Sequence, residues 1–85
     1  MDVEFINHEI VLLQQQVALL GEKNADGKWQ VSFGKLYDET QQVFEALAGT
    51  LKAAKKRGIV DYAAPILLKG PSDKVLVILN VEATA

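Results

Sequence analysis

The residues most able to do chemistry in this 85-residue chain are four cations packed into six positions: Lys52, Lys55, Lys56 and Arg57. Spaced this way on a helix, they would form a positive surface near its C-terminal end. Such a cluster has three readings. The cations can offset the helix dipole and bond the last carbonyls, which is worth a few tenths to about 1 kcal/mol per charge. They can bind nucleic acid, or they can dock on an acidic protein surface. Against nucleic acid stand Glu39, Gln41, Gln42 and Glu45, which would occupy the N-terminal half of a recognition helix, where acids repel phosphate. The sequence pI of about 5.2 points the same way.

Other chemistry finds few residues to work with. His8 is the sole histidine and there is no cysteine, so metal and nucleophile sites built on those side chains lack parts. Asn24, Asp26 and Gly27 mimic a calcium loop. Its first position would be Glu22 and its twelfth Phe33, where a bidentate carboxylate is required, so the loop is rejected. Gly27, Gly34 and Gly49 are too scattered to cradle a phosphate. Paired carboxylates such as Asp38 and Glu39 are not singled out by any spacing. The expectation is a protein that is not an enzyme, with no cofactor and no metal.

Composition bounds the rest. Hydrophobic residues make up 49% and charged residues 24%, a globular balance that predicts one domain over residues 1–85, folding alone. The net charge of −2 is unevenly spread. Residues 1–51 carry eight acids against three lysines, and residues 52–85 carry six bases against three acids. That polarity suits a partner of mixed charge. The longest aliphatic run, Val75 to Leu79, is far short of the ~20 residues of a membrane span. With no leader-like start either, the chain reads as cytoplasmic, without a membrane association.

The elements that must position the cations follow from spacing. Val3, Ile6, Ile10, Leu13, Val17 and Leu20 recur at steps of three and four, predicting a first helix capped by Asp2 and ended by Gly21. Leu12, Ala18 and Leu19 broaden its stripe, so core packing, and hence a monomer, is expected over a coiled-coil dimer. Residues 22–28 read as a turn. Trp29, Val31 and Phe33 alternate as a short strand, and residues 34–37 read as a brief helical turn. Asp38 and Gln41 have the form of a capping box opening a long central helix through Val43, Leu47, Leu51 and Ala54. Gly58 ends that helix, and Ile59-Val60 is extended. Gly49 inside it predicts close approach of another element over Ala46, Gly49 and Ala53. Ile66–Lys69 and Lys74–Leu79 read as two strands joined by Gly70-Pro71-Ser72-Asp73, a β-hairpin, and Val81 to Ala85 as a frayed tail. Apolar at every position, Val75–Leu79 should be covered on both sides or lie centrally in the sheet. The layout is α+β and winged-helix-like: three helices with a small antiparallel sheet ending in a β-hairpin.

The run from Phe44 to Arg57 resembles the helix that marks the Costars family, with Ala48 where a valine is usual. The likeness extends to Leu20-Gly21, the turn from Asn24 to Lys28, Val31, Phe33-Gly34 and Leu36. It continues through Ile59-Val60, Leu67-Leu68, Gly70, Asp73 and Val75, so nearly the whole chain is covered. Gly58, Lys69, Ala63 to Ile66 and Pro71-Ser72 depart from the family pattern. Costars proteins are small relatives of the C-terminal domain of the striated-muscle activator of Rho signalling, an actin-binding protein. The resemblance implies a winged-helix-like fold and a cytoskeleton-associated, non-enzymatic role in actin organisation and cell motility. The implied partner is actin or an actin-regulatory protein. Lys52, Lys55, Lys56 and Arg57 are the expected partner-binding residues; a nucleic-acid-binding winged helix is the alternative.

Overall fold

The computed structural model describes residues 3–81, and side chains over residues 6–81. Helix α1 runs Val3–Leu20, as its periodicity predicts. Ile10, Leu13 and Val17 from its apolar stripe lie fully inside the core. The expected cap at Asp2 lies outside the described residues. Gly21 closes the helix by donating its N–H to the Val17 carbonyl at 2.9 Å. A Cβ on Gly21 would sit 2.0 Å from the Gln30 carbonyl oxygen, so only glycine lets the helix end lie close against the backbone at Gln30.

The turn that follows is built by Asn24, whose Oδ1 accepts from the N–H groups of Asp26 at 2.9 Å and Lys28 at 3.0 Å. Its flanks pair, giving strands β1 (Glu22–Lys23) and β2 (Trp29–Ser32) with Lys23 opposite Trp29. Residues 22–23 are thus strand where a turn is expected. Phe33 opens helix α2 (Phe33–Glu39) instead of extending β2, with Ser32 at the N-cap.

The central helix is shorter than expected. Helix α3 spans Leu47–Lys56, and residues 40–46 are a turn followed by irregular chain. The capping box does not form, because Asp38 lies within α2, and the Gln41 amide donates back to the Tyr37 carbonyl. The Thr40 carbonyl receives the N–H groups of both Val43 and Phe44, turning the chain so that Phe44 is buried. The helix does stop at Gly58, which has a φ of 75°. Ile59 donates to the Ala54 carbonyl at 2.9 Å and Gly58 to that of Lys55 at 3.0 Å, the paired bonds of a Schellman ending.

Strands β3 (Val60–Asp61) and β4 (Leu76–Leu79) complete a four-stranded antiparallel sheet in the order β1-β2-β4-β3. Val31 pairs with Val77, and Val60 with Leu79. The last two strands in sequence are antiparallel neighbours joined by the long connection 62–75, and Ile66–Lys69, expected as one arm of a hairpin across residues 70–73, is not one of the sheet's strands. Two reasons are visible. Val60–Asp61 holds the β4 edge that Ile66–Lys69 would need. Residues 68–73 also spend their backbone groups locally: Leu68 N–H donates to Ser72 Oγ at 3.0 Å and Gly70 N–H to Asp73 Oδ1 at 2.8 Å. Strand β4 is central, yet only Val77 and Leu79 are buried, and Leu76 is exposed. The arrangement of three helices on a small antiparallel sheet is α+β and compatible with the winged-helix layout. Of the expected tail, residues 82–85 lie outside the described residues.

Candidate protein-binding surface

The four cations differ in their surroundings. Lys55 is exposed but engaged: its Nζ donates to the Tyr62 carbonyl at 2.7 Å, lies 4.3 Å from the Tyr62 ring centroid and is 3.9 Å from Asp61 Oδ1. Arg57 reaches across to α1, where its Nη1 donates to Asn7 Oδ1. Lys52 and Lys56 are exposed and have no ion-pair partner among the described residues. Four residues apart on α3, they occupy the same helix face.

That face borders a groove. Ala48, Gly49 and Lys52 line it from α3, and Tyr62, Pro65 and Ile66 from the connection between β3 and β4; its volume is about 270 Å³. The expected covering of Gly49 is absent, since a Cβ there would meet only the Ala46 methyl carbon, at 3.9 Å. Gly49 is exposed, and its helix-weakening effect is offset by the buried Leu47, Thr50, Leu51 and Ala54 around it. Ile66 in the groove wall is 64% exposed and Leu68 just beyond it 51%, while Leu67 between them is buried. These exposed apolar residues are invisible to a reading that places them in a strand of the sheet. Pro65 is the one local signal that the run does not join a ladder.

Lys69 pins the connection to the rest of the molecule. Its Nζ bonds Asp73 Oδ2 at 2.9 Å and lies 3.6 Å from Asp38 Oδ1 on α2. The bond to Asp73 raises the Lys69 pKa above its ordinary value, with Asp38 adding to it. The Gly70 N–H, and then Lys69, hold Asp73 below the usual carboxylate value. Burial raises the Tyr62 hydroxyl, and the Asp61 carboxylate adds to that. His8 is exposed, and the described residues include no group of three or more histidines or carboxylates placed to hold a metal. No described helix is long and apolar enough to cross a membrane.

The acidic and amide residues expected on a recognition helix are not on it. Glu39 ends α2, and Gln41, Gln42 and Glu45 lie in the segment before α3. What remains is a small helix-on-sheet protein whose most distinctive surface joins free lysines to exposed aliphatic side chains. The chain belongs to the Costars family, whose sequence profile matches residues 5–80. It is 51% identical over 76 residues to the human Costars family protein ABRACL, covering 87% of this chain and 94% of that protein. Against protein costars of Dictyostelium discoideum the identity is 49% over 76 residues, with 87% and 93% covered. The solution structure of human HSPC280 protein superposes with a TM-score of 0.86 at 46% identity, covering 94% of this chain and 96% of that one.

Proposed function

We propose that this chain is a single-domain, non-catalytic binding module of the actin cytoskeleton, working in the cytosol as a monomer and contacting actin or an actin-regulatory protein. Membership of the Costars family supports the cytoskeletal assignment. The observation that carries the binding mode is the pair Lys52 and Lys56, exposed on one face and without an ion-pair partner among the described residues. A lysine that spends its charge inside the protein gains little from a partner. One left in solvent offers its full Coulomb attraction to an acidic surface and speeds encounter with it. Within the basic end of α3, Lys52 and Lys56 are therefore the contacting residues, and Lys55 and Arg57 hold the surface in place.

The test is co-sedimentation with filamentous actin at low and physiological salt, comparing the native chain with the double variant Lys52→Glu/Lys56→Glu. Pelleting that the double variant abolishes supports direct docking. Absence of pelleting by the native chain at both salts eliminates filaments as the partner and leaves actin regulators. A shift of duplex DNA in a parallel gel assay would overturn the protein-binding reading.

A further inference from the structure

We infer that the groove between α3 and the β3–β4 connection is a docking site for an acidic segment that carries a large apolar anchor, such as one face of an amphipathic helix. This inference deepens the proposed function by naming the partner's chemistry, and it rests on that reading only for the identity of the protein that supplies the segment. Charge complementarity selects the occupant. Lys52 lines the groove, Lys56 lies one turn further along the same face, and no carboxylate among the described residues lines it.

Apolar complementarity supplies the anchor. Exposed Ile66 and Leu68 flank buried Leu67 on a connection held by local hydrogen bonds and by Lys69, so the anchor site is formed before a partner arrives. The exposed Gly49 and Ala48 keep the α3 wall low, so that a partner's backbone can come close to the helix. An occupant with carboxylates spaced four residues apart on a helix would match the spacing of Lys52 and Lys56. The contact is small, which places it among weak, transient associations that salt disrupts.

The probe is a synthetic peptide of about 18 residues, long enough to become helical on contact. It carries two leucine anchors flanked by glutamates at i and i+4, and control peptides replace Leu by Ser or Glu by Gln. It is titrated to about 1 mM, the weak end of measurable association, into the isotope-labelled full chain while amide shifts are followed. Shifts should concentrate at residues 48–56 and 62–68. Lys52→Glu and Ile66→Ser should each weaken binding roughly tenfold with the melting temperature unchanged, since both side chains are exposed, and both control peptides should bind more weakly. No shift at the highest concentration, or binding that Ile66→Ser leaves intact, overturns the inference. Running the same variants in actin co-sedimentation separates the two claims. Peptide binding without native pelleting keeps the groove and eliminates the filament; pelleting abolished by Lys52→Glu but indifferent to Ile66→Ser keeps the filament and eliminates the groove.

Discussion

The ammonium of Lys55 sits 2.7 Å from the carbonyl oxygen of Tyr62 and 4.3 Å from the centroid of its ring, tying the end of α3 to the chain just after β3. A charge-assisted bond to a backbone carbonyl, with a cation–π contact added, makes this lysine structural. Lys55→Met should cost about 1–2 kcal/mol and lower the melting temperature by several degrees. Lys52→Ala and Lys56→Ala should stay within about 0.5 kcal/mol of the native chain. Thermal unfolding of the three variants decides it, and equal losses would remove the distinction between free and engaged cations.

Two glycines should respond in opposite directions. Gly21→Ala would drive a methyl group to 2.0 Å from the Gln30 carbonyl, an obstacle of backbone that cannot rotate away. A loss of about 3 kcal/mol or more is expected. Gly49→Ala has open space, with its nearest neighbour at 3.9 Å, and should stabilise by about 0.5–1 kcal/mol. Urea unfolding checks both, and a destabilised Gly49→Ala would show that the helix is strained there.

Stability should fall at both ends of the pH range for identifiable reasons. Asp73 is held below its ordinary value of 3.8, so its contribution is complete above that value and is lost as the pH falls through the depressed folded value. Tyr62 is raised above 10.0 and Lys69 above 10.5. In both cases the unfolded group releases its proton first, so their contributions are complete below those values and vanish as the pH rises through the folded ones. Urea midpoints measured from about pH 2 to about pH 11 should show both limbs. Asp73→Asn should flatten the acid limb and Tyr62→Phe the alkaline one; an unchanged limb in either variant refutes that assignment.

Ser72 is buried, and its hydroxyl accepts the Leu68 N–H at 3.0 Å. Ser72→Ala leaves that donor without its partner and should cost about 1–2 kcal/mol. Because the bond shapes the run that carries Ile66 and Leu68, amide exchange at residues 66–70 should accelerate more than exchange in α1. Uniform acceleration would indicate only a global loss of stability.

Local order was readable without coordinates. The three-and-four spacing from Val3 to Leu20 located α1, and the alternation of Trp29, Val31 and Phe33 located β2, although Phe33 itself opens α2. Gly58 was legible as a helix stop because a left-handed residue favours glycine whatever lies around it. The family resemblance was likewise carried by residues in the chain. The misread elements are those whose fate depends on distant partners. Ile66–Lys69 looks like a strand, but Val60–Asp61 already holds the β4 edge, and the side chains of Ser72 and Asp73 take the backbone donors of Leu68 and Gly70. Asp38 looks like a helix cap, but it lies inside α2, and the chain turns at Thr40 to bury Phe44. Gly49 suggests a close neighbour, but none of the described residues covers it. The same division runs through the candidate surface. Sequence determined that four cations would crowd the end of one helix. Only the tertiary structure decided that Lys55 would be engaged by Tyr62 and Arg57 by Asn7, fifty positions away, while Lys52 and Lys56 kept no ion-pair partner among the described residues and Lys52 came to line a groove with exposed Ile66. Periodicity and caps act within a few residues, whereas ladder edges, carbonyl acceptors and burial are allotted by segments that meet only when the chain folds.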